Sequence, residues 1–286
     1  MTAPASPAGG WFQAATCRSL GLSLQIRLRN TPRVLGSGAR QIAAPRLLVG
    51  LRAYLRGELV YEQPEFGQIP ATGTLIADQG QLALPADLEP DDELLLVADV
   101  RDENGESFAS QEHQLLYTHG ASGGQAYLLY DQQPARPSGA KPAPIVVLMP
   151  KIWLSDEIGT YVVVCNTWEV AAPTRQPEPV RFSLLDEHGE EACSWEYTFF
   201  YNEAKIFDLR QYAERVVTWT SRPRFFNLVG RGGASSFVLF AMMRNLRSNH
   251  FAIEHSLPPI YYMDGAIGPV RAQGCDVRLF ERNRAR

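Results

Sequence analysis

The residues best equipped for chemistry lie near the carboxyl terminus, where His250 precedes the stretch FAIEHSLPPIYYMD over residues 251–264. His250, Glu254 and His255 place two imidazoles and a carboxylate within six residues. Metal motifs of zinc hydrolases set their ligands one helical turn apart, but this stretch has the alternation of a strand. On a strand His255 faces away from the other two. The spacing therefore predicts no metal site, and His255 stays a candidate binding residue.

No nucleophile stands in a setting typical of covalent catalysis. Ser235 and Ser236 follow glycines but do not form a GxSxG motif, and a strand pattern follows them. The glycine-rich segment 230–233 lacks the Lys-Ser/Thr pair of a phosphate loop. We predict no catalytic residue and no cofactor from local motifs. A site assembled from distant residues, around His255 with Glu254 and Asp264, remains open as a hydrolase-like alternative.

Aromatic side chains offer a more plausible functional surface. Large aromatics close to polar side chains can anchor a protein partner or stack on a sugar, and they can equally fill a core. The candidate binding residues are Trp153, Trp168, His255, Tyr261, Tyr262 and Asp264.

Strand patterns dominate the chain. Residues 22–29 (LSLQIRLR) alternate apolar and polar side chains at every step, as a half-buried strand requires. Residues 93–101 and 106–117 flank DENG, whose Asn104 and Gly105 tolerate the positive φ of a tight hairpin. This hairpin resembles the paired strands of immunoglobulin-like or fibronectin type III-like sandwiches. Residues 236–256 predict another hairpin, and only residues 209–216 have a helical pattern.

These elements predict an all-β protein with two antiparallel β-sandwich domains and one short helix. Residues 131–144 (DQQPARPSGAKPAP) have the composition of an interdomain linker. The expected organisation is a flexible tail over 1–18, a first sandwich over 19–130, the linker over 131–144, a second sandwich over 145–281 and a tail over 282–286.

Charge and composition limit the function classes. The 27 basic residues are interspersed with 31 acidic ones, for a formal net charge of −4, which argues against a nucleic-acid surface. No apolar run approaches the ~20 residues that a membrane span needs, and residues 1–10 lack a signal peptide pattern. We expect a cytoplasmic protein with reduced thiols. Pairing of Cys165 with Cys193 is left open.

The leading hypothesis is therefore a non-catalytic binding or assembly protein, whose partner is another protein or a second copy of itself. A carbohydrate-binding module is the first alternative, and the hydrolase-like enzyme is the second.

Overall fold

The structure is a computed structural model, and it describes residues 10–30, 46–85, 87–89, 91–103, 113–130, 147–166, 177–214, 217–232 and 237–255. Within these ranges the chain forms four antiparallel sheets of four strands each, with a single short α-helix. The predicted all-β class with antiparallel sandwiches is confirmed. None of the helices in these ranges has the length and apolar character that crossing a bilayer demands.

The first sandwich contains sheet 1, in the order β1-β6-β3-β4, and sheet 2, in the order β5-β2-β7-β8. Its strands are β1 (Gly10–Ala15), β2 (Leu22–Arg29), β3 (Arg46–Leu55), β4 (Glu58–Pro70), β5 (Thr74–Asp78), β6 (Leu95–Asp102), β7 (His113–His119) and β8 (Gln125–Tyr130). Hairpin pairing joins β3 to β4 and β7 to β8.

The second sandwich contains sheet 3, in the order β12-β11-β14-β9, and sheet 4, in the order β13-β10-β15-β16. Its strands are β9 (Val147–Leu154), β10 (Ile158–Asn166), β11 (Glu178–Leu185), β12 (Glu191–Phe199), β13 (Glu203–Asp208), β14 (Arg224–Arg231), β15 (Val238–Asn245) and β16 (Phe251–His255). Helix α1 (Leu209–Ala213) begins directly after β13, where the Asp208 carboxylate accepts a hydrogen bond from the Arg210 amide.

Side-chain alternation explains the core of the first sandwich. On β2, Leu24, Ile26 and Leu28 are at most 2% exposed, while the intervening Gln25 and Arg27 lie on the other face. Each such apolar side chain contributes about 1.5–3 kcal/mol when it leaves water. Burial along β2 therefore alternates at every second residue, as the apolar residues of its sequence do.

Sheet 4 differs because both of its faces are buried. On β10, Val162 and Val164 pack into the core of the second sandwich, whereas Val163 and Cys165 pack into the core of the first. The strand shows no polar alternation because neither face meets water. On β15, Phe240 reaches the first sandwich, where its ring centroid lies 5.9 Å from that of Tyr117. The two sandwiches thus share a continuous apolar seam.

Polar contacts complete this seam. The Glu93 carboxylate, just before β6, accepts hydrogen bonds from the Lys205 ammonium at 3.2 Å and from the Ile206 amide at 2.8 Å. The β3–β4 turn also meets the β12–β13 turn, where a Cβ on Gly57 would lie 2.7 Å from the Tyr201 carbonyl oxygen. The seam therefore leaves no room for a side chain at position 57.

The predicted amino-terminal tail is corrected in part. Residues 10–15 form β1, which pairs antiparallel with β6, because Ala14 and Ala15 bury their side chains completely in the core. Residues 127–130, at the end of the range expected for the first sandwich, lie in β8. The predicted linker over 131–144 and the tail over 282–286 lie outside the described residues, and the 236–256 hairpin is confirmed by the pairing of β15 with β16.

Replacement of Gly57 tests the seam. Gly57 has a φ of +88°, so Gly57→Ala adds backbone strain to a clash with the second sandwich. We expect a loss of about 2 kcal/mol in the free energy of unfolding, measured by urea denaturation. Gly123→Ala is the matched control, because Gly123 has a φ of +66° with nothing within 4 Å of its added Cβ. Its loss should be about 1 kcal/mol. Equal losses would show that the contact with Tyr201 does not stabilise the seam.

Candidate functional site

Two of the six predicted binding residues lie within the described part of the chain. Trp153 on β9 is 41% exposed, and its ring packs edge-on against Phe225 of β14 with centroids 5.4 Å apart. His255 ends β16 and is partly buried on sheet 4. The other four, Trp168, Tyr261, Tyr262 and Asp264, lie outside the described residues. Trp153 lies on sheet 3 and His255 lies on sheet 4, so the two side chains do not share one sheet face.

The histidine and glutamate cluster does not converge. His255 is the cross-strand neighbour of Phe240, and Glu254 is the cross-strand neighbour of Ala241. Phe240 packs into the first core and Ala241 into the second, so Glu254 and His255 lie on opposite faces of β16. Glu254 instead forms an ion pair with Lys151 at 3.2 Å. Within the described ranges, no three His, Cys, Asp or Glu side chains are grouped so that they could hold a metal ion.

The three cysteines that the structure describes, Cys17, Cys165 and Cys193, are free thiols. Burial raises the pKa of Cys165 to about 12 and that of Cys193 to about 11, so both thiols stay protonated at neutral pH. Burial likewise raises the pKa of Cys17. Cys165 and Cys193 are therefore unpaired, and their thiols are poor nucleophiles.

A groove on the outer face of sheet 1 is a candidate that sequence reasoning missed. Its volume is about 740 Å³. Between the pairs Val49 with Gly67 and Leu51 with Gln63, β4 contains two more residues than β3, so β4 bulges outward at Pro64. Gly50 lies opposite this bulge, and a Cβ there would lie 3.0 Å from the Pro64 carbonyl oxygen. The floor of the groove is therefore backbone.

Charged side chains form the walls of the groove. The basic ones are Arg46, Arg52 and Arg101, and the acidic ones are Glu62, Glu65, Asp99, Asp102 and Glu103. All three guanidinium groups are paired: Arg46 with Glu103 at 3.0 Å, Arg52 with Glu62 at 2.8 Å, and Arg101 with Asp99 at 2.5 Å. The pairs of Arg46 with Glu103 and of Arg52 with Glu62 are exposed, and such pairs contribute only about 0–1 kcal/mol to stability each, so folding by itself gains little from them.

Asp99 lies at the centre of the groove, as the cross-strand neighbour of Gly50. Its side chain is 14% exposed, and one carboxylate oxygen accepts a hydrogen bond from Arg101. The other oxygen, Oδ1, is covered and has no hydrogen-bond donor in the structure. A covered acceptor without a donor carries a free-energy cost of about 1–3 kcal/mol.

A second polar cluster lies between the sandwiches, at the end of β7. His119 is 5% exposed, and its Nε2 lies 3.3 Å from a guanidinium nitrogen of Arg244 on β15. The amide nitrogen and the hydroxyl oxygen of Ser122 both lie 3.1 Å from His119 Nδ1. Burial and the Arg244 charge lower the pKa of His119. The cluster therefore favours a neutral imidazole.

No protein-family model matches this chain, and no curated protein sequence matches it. Solved structures similar to it include a glycosyl hydrolase family 2 member from Bacteroides cellulosilyticus DSM 14838, at 8% identity and a TM-score of 0.19, covering 86% of this chain and 28% of that one. A putative beta-galactosidase from Bacteroides fragilis, at 8% identity and a TM-score of 0.17, covers 87% and 32%.

A beta-glucuronidase from Ruminococcus gnavus matches at 8% identity with a TM-score of 0.16, covering 86% of this chain and 34% of that one. This chain therefore spans about a third or less of each of these three structures. At such low TM-scores the likeness carries no information on function.

The environment of His119 predicts a pH dependence of stability. Unfolded histidine has a pKa of about 6.5, and the folded value is lower, so the unfolded chain gains a proton first as the pH falls. We expect the contribution of His119 to be fully present above pH ~6.5 and to decrease as the pH falls toward the folded pKa. Urea denaturation between pH 8 and 5 measures it. His119→Gln keeps polar groups beside Arg244 and should show a smaller decrease; identical decreases would contradict the prediction.

Proposed function

We propose that this protein acts by binding or assembly, through the addition of a polypeptide strand from a partner to the edge of sheet 1. The observation that carries the proposal is β4. It has 13 residues, against about 5–6 in a typical strand, and within the described residues it pairs with β3 alone. An edge strand exposes a row of backbone amide and carbonyl groups that another chain can pair with.

The usable part of this edge is residues 58–63. Glu58, Leu59, Glu62 and Gln63 are exposed, and Leu59 presents 48% of its surface as an apolar contact. Beyond it, Pro64 has no amide hydrogen and the bulge interrupts the strand, which are two features that block edge pairing. Six residues suit a partner strand of ordinary length.

A lysine at this edge tests the proposal. Leu59→Lys adds a charge of the kind that natural edge strands use against pairing, so we expect at least tenfold weaker binding to the partner or to a second copy. Ile76→Lys on β5 is the control, because Ile76 is also 48% exposed on an edge strand. Light scattering measures self-association, and affinity capture from lysate with mass spectrometry measures partner binding.

Two results would contradict the strand-docking proposal. One is a strictly monomeric protein that recovers no stoichiometric partner. The other is equal loss of binding in the Leu59 and Ile76 variants, because a general effect of surface charge would then explain the result.

Carbohydrate binding is a second candidate, favoured by the exposed Trp153 beside Phe225. A flat, exposed ring held by an edge-on neighbour offers an apolar platform with little conformational freedom to lose. Glycan recognition at this place requires no contribution from β4, because Trp153 lies on sheet 3. The two candidates are therefore separable by mutation.

Tryptophan fluorescence tests the second candidate. If Trp153 stacks on a sugar, a broad glycan panel should contain at least one ligand that changes the emission saturably. The change should be lost in Trp153→Phe and should stay in Leu59→Lys. Unchanged emission across the panel would count against glycan binding at Trp153.

A further inference from the structure

We infer that the strand added at the β4 edge is an extended, basic segment of another protein, which carries lysine or arginine side chains and an apolar side chain where it reaches the second sandwich. This inference rests on the strand addition proposed above and names the chemistry of the partner. Two features of the edge carry it, namely an excess of exposed carboxylates and an apolar patch that involves both sandwiches.

The β4 edge is acidic. Glu58, Glu62 and Glu65 are all exposed, and residues 58–65 contain no lysine or arginine. Arg52 on β3 binds the Glu62 carboxylate at 2.8 Å, on the side of β4 away from the open edge. Opposite charges on neighbouring strands stabilise a sheet, and like charges destabilise it. The edge therefore favours an incoming strand that carries lysine or arginine.

The groove beside the edge extends this negative charge beyond Pro64. Five carboxylates and three guanidinium groups line it, which leaves a difference of two negative charges, and each guanidinium group already pairs with a carboxylate. Glu65 takes part in none of these three pairs. A cationic side chain that follows the paired residues of the partner therefore finds an acceptor without displacing an ion pair. An anionic side chain meets net repulsion there.

At its other end the β4 edge adjoins the second sandwich. Phe200, in the turn between β12 and β13, lies beside Gly57, since a Cβ on Gly57 would lie 3.3 Å from the Phe200 Cβ. Phe200 is 45% exposed, and Leu59, two residues after Gly57, is 48% exposed. Both exposed apolar side chains thus belong to the Gly57 end of the edge. A partner side chain that covers them removes apolar surface from water on both sandwiches.

The same charges argue against β4 of a second copy as the partner. In a symmetric antiparallel pair centred on Val60, Glu58 of one copy would lie directly opposite Glu62 of the other. Registers shifted by one or two residues still place two glutamates from each copy along the same short ladder. Like charges in these positions destabilise pairing, and the formal net charge of −4 adds repulsion between whole copies. The partner is therefore a different chain.

Fluorescence anisotropy of labelled peptides with the full chain tests the inference. The basic probe alternates valine and threonine and ends in three lysines, and the acidic probe has glutamates in place of those lysines. We expect saturable binding of the basic probe, at least tenfold tighter than that of the acidic probe in ~0.05 M sodium chloride. In ~0.5 M sodium chloride the difference should fall below about threefold, because salt screens exposed charges.

Glu65→Lys is the decisive variant, and Glu196→Lys is the matched control. Glu196 is likewise an exposed glutamate on an edge strand, β12, but it lies on sheet 3. Glu65→Lys should weaken binding of the basic probe at least fivefold, and Glu196→Lys should leave it within about twofold. Phe200→Ala should weaken binding at least threefold without changing its salt dependence, since it removes an apolar contact and no charge.

The outcomes separate the chemistry of the partner from strand addition itself. Equal affinity for the two probes, or equal loss in the Glu65 and Glu196 variants, would overturn the basic partner and leave strand addition at β4 intact. If the basic probe binds but Leu59→Lys does not weaken it, both proposals fail, because the peptide then binds elsewhere. If neither probe binds, the inference is overturned, and strand addition is decided by the capture experiment with Leu59→Lys described above.

Discussion

The buried second face of sheet 4 determines how the rest of the protein is arranged. A sheet in an ordinary sandwich needs one apolar face, but β10 and β15 carry apolar side chains on both. The face holding Val163, Cys165 and Phe240 would be an exposed apolar surface if the second sandwich stood alone. Packing against the first sandwich removes that surface from water. Association of the two sandwiches is therefore part of folding.

Specificity at this seam comes from polar groups that have no alternative partners. Burial raises the pKa of the Glu93 carboxyl, which opposes ionisation, while Lys205 and the Ile206 amide favour the ionised form. An altered alignment of the sandwiches would leave the Glu93 carboxylate and the Ile206 amide without these hydrogen bonds, at a cost of about 1–3 kcal/mol for each group. Apolar burial drives the association, and these hydrogen bonds select its register.

The usable β4 edge and the groove of sheet 1 both end or begin where the regular pairing of β3 with β4 is interrupted. The β4 bulge interrupts the ladder with β3, and the same two extra residues end the flat edge and open the groove above Gly50. Ordinary alternation would have produced a uniform polar face. The β4 edge and the groove are thus neighbours on one sheet for a single structural reason.

The sequence by itself determined the all-β class, the strand at 22–29, the hairpin at 236–256 and the short helix after residue 208, because local alternation and turn chemistry decide these elements. It did not reveal β1 as part of sheet 1, since six residues cannot show which strand they pair with. It also missed the groove, whose charged residues come from β3, β4, β6 and the residue after β6, and are separated by up to 57 positions between Arg46 and Glu103. Tertiary structure alone brought them together, because a bulge and cross-strand register are properties of paired strands and leave no periodic signal in one.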